Sequence, residues 1–332
     1  EGNIKTNAKN SSFDYLAMQF RLWKRMGMAV GFLPFSTVGY SLSNTSELTK
    51  DEDGTVINKT ASYAGDGGLQ QVFAGVGFKV LDNLSIGANI SYIYGDITHS
   101  VTTAFSNSSS FSSVRLDKIS INDYKLDFGL QYSYKFNKKH VLNFGAVYSL
   151  GHSVNGKGYK YNQKWLNGAD YPSTQTGDTI TNAFSLPHTF GAGLTYVYDN
   201  RLTIGADFTY QQWEDAKFYN EKSYFSNRTK IAAGAEFVPN PYSRNYLKRV
   251  RYRVGGYYSD PYTKVDGQDG TREYGVSAGF GFPLFQSKSI LNISGQYVRV
   301  SPKVKGMLEE NYLKINIGLT FNERWFMKWK VD

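Results

Sequence analysis

Lys125-Leu126-Asp127-Phe128-Gly129-Leu130-Gln131-Tyr132-Ser133-Tyr134-Lys135-Phe136 carries an apolar or aromatic side chain at every second position and a polar or small one between. A period of two rather than 3.6 encodes a strand with one greasy face and one polar face. After the short turn Asn137-Lys138-Lys139-His140 the code resumes, with Leu142, Phe144, Ala146, Tyr148 and Leu150 on one face. Asp123 to Leu150 therefore reads as an antiparallel hairpin. A soluble sheet hides its apolar face under a second sheet or helices, yet most segments of this chain share the plan and none offers a covering helix. Lipid is the economical cover for such a face.

The bulk numbers fit one large closed sheet. The chain has 332 residues, 16% of them aromatic, a mean hydropathy of -0.43 and no cysteine. No apolar run approaches the ~18–20 residues of a membrane-spanning helix, but a barrel strand needs only ~9–11 tilted residues, half of which face the lumen. The absence of cysteine excludes a disulfide framework and thiolate metal sites. Glu1-Gly2-Asn3-Ile4-Lys5 has no apolar signal core, so the chain is read as mature or as beginning partway through the protein. The net charge of +9 is spread over strands and turns without a basic block, which argues against nucleic acid as a partner.

Thirteen strands follow in order. Phe13 to Leu22 turns at Trp23-Lys24-Arg25 into Met26 to Leu42, where Pro34 must produce a bulge, a kink or a locally unpaired edge. Val72 to Val80 and Leu84 to Tyr94 come next, then the hairpin above, then strands beginning near Phe190, Leu202, Ile231, Val250, Tyr274, Leu291 and Leu313. Residues 43–66, 106–113 and 156–183 are polar and read as long loops. Short turns alternating with long loops match an outer-membrane barrel with periplasmic turns and extracellular loops. Thirteen strands would start the chain outside the cell, whereas such barrels have an even number, so fourteen strands are expected with one upstream of Glu1. The expected fold is an all-β transmembrane antiparallel barrel over residues 1–321, followed by a periplasmic tail, 322–332.

Charged residues in the polar phase of the strands point into the lumen: Lys125, Asp127, Asp207, Glu236, Arg251 and Arg253. They would pair across the interior, or Arg251 or Arg253 would receive a ligand carboxylate. Tyr159, Tyr161, Trp165 and Tyr171 give the longest loop an apolar surface suited either to a folded cap or to capture of an acyl chain. In the tail, Trp325, Phe326 and Trp329 lie among lysines, either as an interfacial girdle or as a docking segment for a partner. The four histidines, His99, His140, His152 and His188, have no metal-ligand spacing, and His152 beside Ser149 or Ser153 is a chance neighbour in a Ser-rich chain. No cofactor, metal or catalytic activity is expected.

Trp23-Lys24-Arg25-Met26-Gly27-Met28-Ala29-Val30-Gly31-Phe32-Leu33-Pro34-Phe35-Ser36-Thr37-Val38-Gly39-Tyr40 resembles an early hairpin of the FadL-like long-chain fatty-acid transporter family of outer-membrane proteins. Leu186-Pro187-His188-Thr189-Phe190-Gly191-Ala192-Gly193-Leu194 and Gly318-Leu319-Thr320-Phe321-Asn322-Glu323-Arg324-Trp325-Phe326 are similar to its Bacteroidetes branch. The resemblance implies a fourteen-stranded barrel with an N-terminal hatch, loops that collect a hydrophobic ligand, and a kinked third strand opening sideways to lipid. Pro34 and Phe35 then mark the lateral kink. The Asn-Pro-Ala hatch motif of the family does not precede the barrel in these residues. Two functions follow as expectations: passive uptake of hydrophobic molecules such as long-chain fatty acids, or a non-transporting barrel subunit of a larger outer-membrane assembly or secretion complex. The implied partners are outer-membrane lipid and lipopolysaccharide, hydrophobic small molecules, and other outer-membrane or periplasmic proteins.

Overall fold

The computed structural model describes residues 11–51, 53–107, 109–167, 174–182, 184–219, 222, 224–265, 267–284, 289–302 and 309–322. Thirteen strands form one continuous antiparallel wall: β1 (Leu16–Trp23), β2 (Met26–Lys50), β3 (Val56–Lys79), β4 (Leu84–Phe105), β5 (Phe111–Lys135), β6 (His140–Ser149), β11 (Thr189–Tyr198), β12 (Leu202–Gln211), β13 (Arg228–Phe237), β14 (Arg251–Ser259), β17 (Thr271–Pro283), β18 (Ile290–Pro302) and β19 (Glu310–Thr320). Six further strands among the described residues are accessory to it: β7 (His152–Val154), β8 (Gly156–Leu166), β9 (Thr174–Thr181), β10 (Phe184–Leu186), β15 (Lys264–Val265) and β16 (Gln268–Asp269). Among the described residues two single-turn 3-10 segments, Trp213–Asp215 and Tyr246–Lys248, are the only helical turns.

The wall is a transmembrane β-barrel, and its strands keep the expected pairing. Phe128 faces Tyr148 and Leu130 faces Ala146 across the hairpin of β5 and β6, so the greasy residues share one face. That face is the outer one: Ile86, Ile90, Phe128, Leu130, Phe144, Phe208, Val254, Val276 and Ile317 are all exposed. Exposed rings bound it above, at Tyr92, Tyr94, Tyr124, Tyr258, Tyr274 and Tyr297, and below, at Tyr132, Tyr134, Tyr198 and Phe237. Tyr124 and Tyr134 are ten positions apart, which in a strand tilted by ~40° spans roughly 25 Å, the height of a lipid-facing band between aromatic girdles. At the tightest turn Asp199 and Asn200 adopt φ of 50° and 53°, in the left-handed region that Asp and Asn tolerate. β1 and β19 each keep one unpaired edge among the described residues and run in the same direction.

Above the band, β2 to β5 do not stop. Each runs 22 to 25 residues, more than twice a membrane crossing, and together they rise as a sheet beyond the long-loop end. The expected loop at 43–66 is mostly strand, with Ser43 paired to Ser62 and Thr45 to Thr60, and the turn confined to residues 51–55. The loop at 106–113 shrinks likewise to 106–110. The expected loop at 156–183 contains β8 and β9, which extend the sheet from the upper half of β5. These segments escaped a reading based on lipid because a strand outside lipid needs no greasy face.

Where the sheet leaves the band it bends. The pairing of β2 with β3 slips between Pro34 and Ser36, leaving Phe35 as a bulge. On the next strands Gly67, Gly68 and Gly95 take positive φ, and a Cβ on Gly68 or Gly95 would lie 2.4 Å from the Ser36 carbonyl oxygen or 2.3 Å from that of Gly68. Side chains are sterically excluded along this line. The bulge therefore belongs to a fold line shared by three strands.

Candidate functional site

The barrel interior is the candidate site, and its long-loop mouth is filled. The inward residues Leu69, Ile93, Ile119 and Ile121 of β3 to β5 pack with Val154 of β7, Leu186 of β10 and Tyr219, and Phe35, Ile97, Ile180, Phe184 and Phe218 close around them. β7 and β10 form a separate two-stranded sheet laid against this wall, with Ser153 opposite Ser185. From Phe184 the rings continue to Trp213 (6.2 Å), and from Trp213 to Phe225 (5.2 Å) and Tyr262 (5.1 Å), at the ends of β12, β13 and β14. An apolar and aromatic layer thus crosses from one side of the barrel to the other. The gap lined by Leu69, Ile93, Ile121 and Val154 leaves no room for a water molecule.

Tyr219 anchors this cap. It has φ of 50°, unusual for a bulky residue, and is 6% exposed. Burial, and then the Asp117 carboxylate, push its hydroxyl well above the ordinary tyrosine range. Lys160 lies over its ring at 4.7 Å, and Arg115 holds Asp117 at 2.9 Å. Below the cap, the Asp123 carboxylate accepts the Asn155 backbone N–H at 2.6 Å, and His152 stacks on Tyr124 at 4.6 Å.

The sequence-selected charges stand on the inward phase of their strands, five of them in two paired groups and Asp207 apart from both. Lys125 and Ser149 both donate to Asp127 just beneath the cap. Near the short turns, one carboxylate serves two guanidiniums: Glu236 accepts from Arg251 at 2.9 Å and from Arg253 at 2.7 Å. Arg253 also donates to Asn292 Oδ1 at 2.7 Å, and Asn292 Nδ2 donates to Thr320 Oγ1 at 3.2 Å. The chain of contacts runs from β13 to β19, and Gly279 and Gly281 of β17 make it possible. A Cβ on Gly281 would approach Arg251 Cβ at 3.1 Å and Asn292 Oδ1 at 3.3 Å. Asp207, over Gly193, is exposed and makes no ion pair among the described residues.

The reading of the sequence missed several lumen residues. Arg228 donates to Ser259 Oγ at 2.7 Å and lies over Tyr262, Lys230 lies 4.8 Å over Tyr257, and Tyr257 donates to Glu273. All occupy the same inward phase as Glu236 or Arg253, and extending that phase upward would have found them. The residues chosen as a ligand-capturing loop are placed differently: Tyr159, Tyr161 and Trp165 stand on β8, paired with Lys118, Leu116 and Ser112 of β5. Phe35, chosen as half of a lateral kink, packs into the cap, and β2 stays paired with β3 on both sides of it. Tyr171, Trp325, Phe326 and Trp329 lie outside the described residues. An apolar groove of about 700 Å³ is present on the outer, lipid-facing wall, between rings such as Phe78, Phe128, Tyr148 and Phe190.

Paired charges thus lie under an apolar lid, inside a greasy wall. The family model named BamG matches residues 1–332. The chain belongs to the BamG family. No curated protein is similar to it. Among solved structures, the Pseudomonas putida toluene transporter TodX is 14% identical, with a TM-score of 0.56 over 92% of this chain and 80% of that one. The CymD monoaromatic hydrocarbon channel is 11% identical, TM-score 0.55, over 86% and 77%. A Pseudomonas aeruginosa FadL homologue is 16% identical, TM-score 0.53, over 91% and 74%. This BamG-family chain therefore has the barrel fold seen in FadL-like proteins.

Proposed function

We infer that this chain is a non-transporting barrel, a structural subunit held in the outer membrane as part of a larger protein assembly. The observation that carries the reading is the packed layer across the long-loop mouth, from Leu69 and Ile119 through Phe184 and Trp213 to Tyr262. A hydrophobic molecule entering there would have to displace a close-packed core, and would then meet Asp127, Asp207 and the Glu236–Arg251–Arg253 group without an apolar path. The long loops and the rising sheet then face the exterior, and the short turns and residues 322–332 the periplasm. The competing reading is uptake of hydrophobic molecules such as long-chain fatty acids, as in the Bacteroidetes branch of the resembling family; its support is the fold shared with hydrocarbon channels.

Two measurements separate these readings. Purification in mild detergent with mass spectrometry of co-eluting proteins should give a defined assembly of fixed stoichiometry. Liposomes containing the purified barrel should take up labelled fatty acid or toluene no faster than empty ones. A lone barrel that accelerates uptake overturns the subunit reading.

A further inference from the structure

We propose that the upper edge of β2, from Ser36 to Lys50, is a docking edge that receives an extended segment of a partner protein as an added β-strand. The proposal rests on the subunit reading and names the contact that reading requires.

β1 covers this edge only as far as Phe32, its last partner being Leu16. Beyond the bulge at Phe35, β2 pairs with β3 alone among the described residues, up to Lys50 opposite Val56. The other edge therefore presents a row of backbone donors and acceptors on the order of 45 Å long. It stands above the aromatic girdle, so lipid does not cover it. Free edges are ordinarily protected by lysine, proline, bulges or brevity. Thr37-Val38-Gly39-Tyr40-Ser41-Leu42-Ser43-Asn44-Thr45-Ser46 has no charged residue, no proline and no bulge. The register shifts again between Glu47 and Thr49, so the unguarded stretch is Thr37 to Ser46, roughly 30 Å, and an edge of that length is one that the working protein covers.

What covers it follows from what it offers. A row of peptide groups is matched by another extended backbone, and the alternate side chains set the sequence it prefers. On one face Tyr40 (42% exposed) and Leu42 (50%) lie beside Tyr63 (44%), Leu42 being the register partner of Tyr63. Tyr40 is fixed there by lying across Gly65 and bonding His99 Nδ1 at 3.0 Å. The opposite face carries Ser41, Ser43 and Thr45. The fitting partner is thus an extended segment alternating apolar with small hydroxyl-bearing residues, held above the membrane.

The test compares hydrogen exchange in the intact assembly, isolated in mild detergent, with that of the purified chain. Alternate amides between Thr37 and Thr49 should exchange about tenfold or more slowly in the assembly and be unprotected in the chain alone. Because the chain has no cysteine, Ser43→Cys supplies a unique thiol whose cross-link in the assembly should map to an extended segment of one co-purifying protein. The triple variant Ser41→Lys, Ser43→Lys, Thr45→Lys should keep the heat-modifiable barrel but lose that protein. An assembly with fully exchanging β2 amides overturns the inference and leaves the subunit reading standing, whereas a chain that always elutes alone overturns both. Amides already protected in the isolated chain, or a cross-link to a second copy, also overturn it.

Discussion

At the scale of single residues, the lumen charges divide labour unequally. Glu236 is the one carboxylate bonded to both Arg251 and Arg253, and its side chain is 25% exposed. Removing it leaves two guanidiniums side by side on one face of β14 without their carboxylate on β13, so Glu236→Gln should destabilise the barrel by about 1–3 kcal/mol. The readout is a lower temperature for the shift between folded and unfolded gel mobility, and an unchanged temperature would refute the bracing role. His99 gives a second test, above the membrane band. Burial holds it below its ordinary 6.5, with Asp117 pulling the other way. The unfolded chain therefore binds the proton more readily, and the stability of the upper sheet, complete above pH 6.5, should decline as pH falls from there toward the folded value. His99→Gln should flatten the proteolytic resistance of β3 and β4 between pH 7 and 5 relative to the parent chain; equal slopes would contradict this.

At the scale of elements, β5 is the branch point. Its lower half pairs with β6 and its upper half with β8, so one strand belongs both to the membrane wall and to the sheet above it. The cap lies where the two part, and β7 and β10 are held there by packing: Val154 is 1% exposed and Leu186 7%. Replacing residues 152–154 and 184–186 with Gly-Ser segments should leave the barrel folded, because every wall strand pairs without them. It should also raise single-channel conductance in planar bilayers from near zero to a measurable level. If conductance does not change, the closure lies elsewhere. Pro34 announced its bulge in the sequence, but the direction of Phe35 did not follow from proline alone. Leu69, Ile93 and Ile119, distant in the chain, supply the core that turns the ring inward.

At the scale of the whole molecule, the greasy wall and its girdles demand a lipid-embedded barrel. Unboiled protein should migrate faster than boiled protein on gels, and circular dichroism should show β structure; substantial helix would refute the fold. The thirteen wall strands and their order were legible in the sequence because lipid imposes a strict two-residue period on a wall with water on its other side. Lys125, Asp127, Glu236, Arg251 and Arg253 stand in the polar phase of these strands for the same reason, since a one-residue slip would turn them into lipid. Beyond the membrane that constraint vanishes. Ser43 to Lys50 and Thr174 to Thr181 alternate no greasy face, and they are strands because of the neighbours they meet. The cap was hidden for a related reason: Val154, Leu186 and Tyr219 carry no shared period, and only the folded wall brings them over Leu69 and Ile93. The sequence by itself determined a lipid-facing barrel and the polarity of its interior, because solvent acts on each strand locally. The packed layer over that interior was decided by tertiary structure alone, because it takes side chains from strands and loops far apart in the chain.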